Sequence, residues 1–169
     1  MPKIAFVIAQ EGFRDEEYFE PKKVLEENGI LITTVSLKKG PALGKLGASA
    51  QADISINVLS PLEYDGIFFM GGPGASVYFQ DKKAHEILKT AFENGKLIGA
   101  ICAGPAVLAY AGLLKGKKAT SFSGVADILK HAGAIFTGKD VETDGKIITA
   151  DGPASATKFG LAIVKAMSG

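Results

Sequence analysis

The sequence predicts an α/β protein: a three-layer sandwich in which helices cover both faces of a mostly parallel sheet. Three observations carry this. Short apolar, β-rich runs recur with no polar face, as strands buried on both sides require. Stretches with helical spacing separate them, giving a β-α-β-α alternation. Finally, Asn28-Gly29, Asn94-Gly95 and Lys115-Gly116 place helix-ending residues where each helical pattern stops.

Lys3 to Ala9 (KIAFVIA) reads as the first strand, and Gly29 to Leu37, Gly66 to Met70 and Leu97 to Cys102 have the same character. Ile147 to Ala150 is a shorter version. Helices are expected at Asp15 to Asn28, Asp81 to Asn94, Pro105 to Leu114 and Ser155 to Met167, with a short one over Val125 to Lys130. Pro41 to Asn57 has small residues, alternation and no helical face, and reads as a strand or hairpin excursion. Ala134 to Phe136, Val141 to Thr143 and Lys146 to Thr149 read as short strands, with a turn at Asp144-Gly145. Gln10 to Asp15 reads as a loop. No linker, repeat or low-complexity segment divides residues 1–169, which read as one domain.

Composition narrows the function classes. Nineteen Lys and Arg against eighteen Asp and Glu leave a net charge of +1 and no basic stripe, so neither nucleic acid nor an anionic membrane is an expected partner. The apolar stretch Leu97 to Leu114 is broken by Gly99, Gly104, Pro105 and Gly112, unlike a membrane span. The first apolar run is too short for a secretory signal, and the cytoplasm is the expected compartment. One cysteine and two histidines cannot build a structural zinc site or an internal disulfide, so no metal is expected.

In sheets of this kind, sites form beyond the C-terminal ends of the strands. The string Gly99-Ala100-Ile101-Cys102-Ala103-Gly104-Pro105 places a thiol at a strand-to-helix junction with small neighbours, the outline of a nucleophile elbow. A helix starting near Pro105 is expected to lower the thiol pKa through its positive N-terminal end. The N–H groups of Ala103 and Gly72 are candidate donors to an oxyanion, and Gly71, Pro73, Gly104 and Pro153 are expected around the site. The loop Gly71 to Ser76 lacks the third glycine of a dinucleotide fingerprint and the Gly-Lys-Ser/Thr of a phosphate loop. A carboxyl at the start of the first helix could carry protons for the thiol. The residues alone do not choose among Glu11, Asp15, Glu16, Glu17 and Glu20. His85 falls early in an expected surface helix and His131 near the end of a short one, and neither position suggests convergence on Cys102.

These motifs together resemble the ThiJ/PfpI superfamily, which shares a flavodoxin-like sandwich and a class I glutamine amidotransferase-like elbow. The likeness runs along nearly the whole chain: Glu17 four residues before Pro21, Asp65-Gly66 leading to Met70-Gly71-Gly72, Ala100 to Pro105, and Asp144 to Thr149 with Gly152-Pro153 before the last helix. It implies that Glu17 is the acidic partner of Cys102, with Gly72 and Ala103 as backbone donors. Ala103 after the cysteine resembles the branch of the parkinsonism-associated protein. The intracellular-protease branch carries histidine there, so cysteine peptidase activity is not expected. The histidine of the former branch aligns with Gly133, and its Ser-Arg with Ala150-Asp151.

The resemblance implies a cofactor-free glyoxalase III-type or deglycase activity, in which Cys102 attacks a reactive 2-oxoaldehyde such as methylglyoxal and Glu17 carries the proton. It also implies a homodimer or larger assembly. The alternatives are an oxidative-stress sensor built on the same thiol and a chaperone-like protein.

Overall fold

The computed structural model describes residues 1–169. In chain order the strands are β1 (Lys3–Val7), β2 (Glu11–Phe13), β3 (Leu31–Ser36), β4 (Gly40–Gly44), β5 (Ser49–Ala52), β6 (Ile54–Ser55), β7 (Gly66–Phe69), β8 (Leu97–Ile101), β9 (Lys118–Ala119), β10 (Ile135–Phe136), β11 (Val141–Asp144) and β12 (Ile147–Ala150). The helices are α1 (Asp15–Glu27), α2 (Lys82–Glu93), α3 (Pro105–Tyr110), α4 (Ala126–His131) and α5 (Ala156–Met167).

Seven strands form the central sheet in the order β11-β12-β8-β7-β1-β3-β6. All neighbours are parallel except β11 and β12, which form a hairpin through Asp144-Gly145. The apolar runs that announced β1, β7 and β8 are buried on both faces. Phe6, Phe68 and Ile4 pack under α1 and α5 with Leu25, Phe159 and Ile163. Val7, Ile67 and Phe69 pack under α2 and α3 on the other side. The architecture is therefore the expected α/β/α sandwich.

Parallel strands bring their C-terminal ends to one edge. Val7 pairs with Phe69, and Phe69 with Ala100, so the loops after β1, β7 and β8 leave the sheet side by side. The chain winds outward from β1 through β3 in one direction and through β7 and β8 in the other. This reversal opens a crevice at that edge.

Three expectations change. Glu11–Phe13, read as loop, is a strand parallel to β4, and β4 and β5 form an antiparallel hairpin beside it. Lys118–Ala119 is a strand pairing with β10. Both are two or three residues long and are created by distant partners, so neither has a period of its own. The third change is at α3, which ends at Tyr110 rather than Leu114, with Gly112 at φ 78 in the turn that follows.

Candidate active site

Cys102 follows β8 directly and is the sole non-glycine residue with positive φ, at 62°. Such a conformation costs about 1–3 kcal/mol and persists only where its surroundings impose it. Here they do: the Cys102 N–H donates to the Ala150 carbonyl (2.9 Å), and its own carbonyl accepts from Phe122 N–H (2.8 Å). The small residues around it are a packing requirement. A Cβ on Gly104 would meet the Phe69 carbonyl at 2.5 Å. The turn is a nucleophile elbow, with the thiol at the sheet edge and partly exposed.

Glu17 reaches the same place from α1. The helix start is tied to the loop after β7 by two reciprocal bonds: Arg14 N–H donates to the Gly71 carbonyl (2.9 Å), and Gly71 N–H donates to Glu17 Oε1 (3.0 Å). Asp15, Glu16 and Glu17 occupy the first turn, where negative charge complements the helix dipole. Pro21 has no N–H for the Glu17 carbonyl, which loosens the backbone ladder at this residue.

The structure separates the five acidic candidates. Asp15 accepts the N–H groups of Leu46 and Ala48, both at 2.9 Å. Glu16 binds Arg14 Nε (2.9 Å) and Nη2 (3.1 Å). Glu20 accepts from Thr157 Oγ1, and Glu11 is exposed. Glu17 alone is fully buried beside the thiol. Its Oε2 has no well-aligned partner and is the sole buried side-chain oxygen in that condition. The thiol proton is the group available to complete it.

Burial pushes the Glu17 carboxyl up to about 7, against the opposing pull of hydrogen bonds from Cys102 and Gly71. Burial, with the negative charge of Glu17, pushes the Cys102 thiol up to about 12. The expected lowering of the thiol pKa is therefore corrected. The helix behind it has only six residues, while loss of water and the neighbouring carboxylate both raise the proton affinity of the thiol. The N–H groups of Ala103 and Gly72 point at the sulfur and favour its anion. Gly72 can approach because it is glycine. Its φ is 107°, and a Cβ there would run into Arg14 N and the Gly12 carbonyl.

The thiol opens onto a pocket of about 530 Å³ lined in part by Pro73 and Pro153. Gly71 and Gly104, expected around the site, do not line this pocket. Gly71 is sealed between Glu17 and the Cys102 Cβ, and Gly104 is packed on the sheet, so both act by leaving room. Neither histidine lines it. His85 Nε2 is bonded to the Phe79 carbonyl at 2.7 Å, and His131 lies in a separate groove with Tyr110 and Asp127. Gly133, the position matching the family's histidine, sits against Lys115 after α4 and does not line the pocket. Phe122 stands in the pocket instead. No three His, Cys, Asp or Glu side chains converge as metal ligands would.

Arg14, Lys45, Ser76, Phe79, Phe122 and Val125 line the pocket and were not singled out from the sequence. They come from four separate segments, and only Arg14, directly before the acidic cluster, had a local signal.

An elbow cysteine facing a buried glutamate, at the edge of a seven-stranded sandwich, defines a class of cysteine-centred α/β proteins. The chain belongs to the DJ-1/PfpI family, whose profile matches residues 2–166. It is 42% identical over 168 residues to the protein MJ0967 of Methanocaldococcus jannaschii, covering 98% of this chain and 82% of that one. It is 35% identical over 151 residues to the deglycase PfpI of Pyrococcus furiosus, covering 89% and 90%. The solved ThiJ/PfpI domain protein of Brachyspira murdochii superposes with a TM-score of 0.96 at 31% identity, covering 98% and 96%. No helix is long and apolar enough to cross a membrane.

Proposed function

We propose that the protein is a cofactor-free enzyme acting on reactive 2-oxoaldehydes or their early adducts, with Cys102 as nucleophile and Glu17 as proton carrier. Kinship with archaeal deglycases supports the class of activity. The observation that carries the chemistry is the buried Glu17 carboxyl, whose Oε2 has no partner other than the elbow thiol.

The pair loses its first proton near pH 7 and its second near 12. Between these values the two groups share one proton, and its transfer from sulfur to Oε2 generates the thiolate at the moment of attack. The sulfur adds to the aldehyde carbon of the 2-oxoaldehyde, and the new oxyanion is met by the N–H groups of Gly72 and Ala103. Protonation of that oxygen gives a hemithioacetal. Glu17 then removes the proton on this carbon and returns one to the neighbouring carbon, converting the adduct to the thioester of a 2-hydroxy acid. Water cleaves the thioester and restores the thiol. The sum is addition of one water, so no external oxidant or reductant is needed.

With no histidine in the pocket, a Cys-His peptidase mechanism has no base. The raised proton affinity of the thiol also works against spontaneous oxidation at neutral pH, which favours the enzyme over the sensor.

The test is to incubate the protein with methylglyoxal and follow lactate by NMR, alongside Cys102→Ser and Glu17→Gln. Lactate from the parent alone supports the assignment. Equal lactate from either variant, or none from the parent, overturns it.

A further inference from the structure

We infer that Arg14 and Lys45 form an anion-recognising wall in the Cys102 pocket, and that the preferred substrate carries a carboxylate a few bonds from its reacting carbonyl. This rests on the proposed chemistry for the word substrate. The anion site itself stands on the pocket alone.

Arg14 and Lys45 are the only charged residues lining the cavity, and no acidic side chain faces it. The remaining walls are largely apolar, including Phe79, Phe122 and Val125. Glu17 is sealed behind the thiol. Glu16 occupies two of the five guanidinium donors of Arg14, leaving others free. Lys45 takes part in no ion pair.

The position of Lys45 is built into the fold. Its N–H donates to the Phe13 carbonyl at 2.8 Å, and the next N–H groups along the turn, those of Leu46 and Ala48, end on the buried Asp15 carboxylate. A Cβ at Gly44 would meet that same carboxylate, so the hairpin lies directly on the start of α1. Asp15 thereby acts as a positioning residue that holds Lys45, a cation with no ion-pair partner, at the wall of the thiol's pocket. A neutral methyl ketone leaves Lys45, an exposed side chain, without a counter-charge, while Arg14 keeps Glu16. A carboxylate supplies one.

The deciding experiment needs no turnover. Cys102 is the only cysteine, so its alkylation can be read by intact mass, with Cys102→Ser as the blank. The ratio of rates with iodoacetate and iodoacetamide is measured for the protein and for free N-acetylcysteine. Both reagents attack the same thiolate, so the thiol pKa cancels and the ratio reports recognition of the added carboxylate. The ratio for the protein should exceed that of the free thiol. It should fall about three- to tenfold in Lys45→Gln, the size expected for losing one charge at close range in a partly screened site. It should recover in Lys45→Arg and shrink in high salt. A ratio no greater than that of the free thiol, or one indifferent to Lys45→Gln, overturns the inference.

A second arm compares turnover of methylglyoxal with that of 4,5-dioxopentanoate, a 2-oxoaldehyde bearing a carboxylate. Higher kcat/KM for the latter, lost selectively in Lys45→Gln, supports the assignment. Equal turnover of the two overturns the substrate preference. Absence of both activities removes the glyoxalase chemistry, and the alkylation ratio still decides the anion site.

Discussion

Glu17→Gln should make the protein more stable at alkaline pH while removing its chemistry. Glu17 is fully buried, and its carboxyl titrates near 7 rather than the ordinary 4.5 because burial disfavours its charge. The folded state therefore holds this proton more tightly than the unfolded chain does. The stabilisation is complete below about pH 4.5 and is lost as the pH rises through 7. At about 1.4 kcal/mol per pH unit, the loss amounts to roughly 3 kcal/mol by pH 8. Glutamine has nearly the same shape, keeps an oxygen for the Gly71 N–H and places an amide toward the sulfur, but it carries no charge to desolvate. Thermal melts of the parent and variant should coincide near pH 4. They should then diverge until the variant melts about 5–10 °C higher at pH 8, using the scaling for a domain of this size. The difference curve cancels titrations common to both proteins. A difference flat between pH 5 and 8, or a variant that becomes relatively less stable as the pH rises, would refute the assignment of a buried, charge-strained carboxyl.

The same titration governs catalysis: kcat/KM for methylglyoxal should rise through an apparent pKa near 7 as the pair sheds its first proton, and a profile flat from pH 6 to 8.5 would contradict that role for Glu17. Gly71→Ala should cost about 1–3 kcal/mol of stability and at least about tenfold in turnover. Its Cβ would meet Glu17 Oε1 and come within 2.7 Å of the Cys102 Cβ, pushing the reacting groups apart. Chemical denaturation and steady-state rates check both, and a fully active, stable variant would show that the three groups are less tightly packed.

The sandwich was legible because its central strands are buried on both faces. A run such as Lys3 to Ala9 has no other way to satisfy its apolar side chains, and the helices between such runs force parallel pairing. The elbow was legible for a similar local reason: small residues flank Cys102 because the chain turns sharply there, and positive φ at 62° confirms the turn. Glu17 was not separable from Asp15 and Glu16 by residue chemistry, since all three suit a helix start. Only the resemblance to a family selected it.

The strand order, the pairing partners of β2 and β9, and the convergence of the three loops depend on contacts between residues far apart in sequence. Proton affinity belongs with these. The sequence by itself shows a thiol ahead of a helix, and from that alone the pKa should fall. Tertiary structure removes water from the thiol and sets a carboxylate beside it, and both effects act in the opposite direction. It also brings Lys45, on a hairpin held by Asp15, to a pocket that opens 57 positions later in the chain at Cys102. Periodicity and turn chemistry are local and were readable from residue order. Desolvation and charge proximity depend on distance in space, and the folded chain alone determines them.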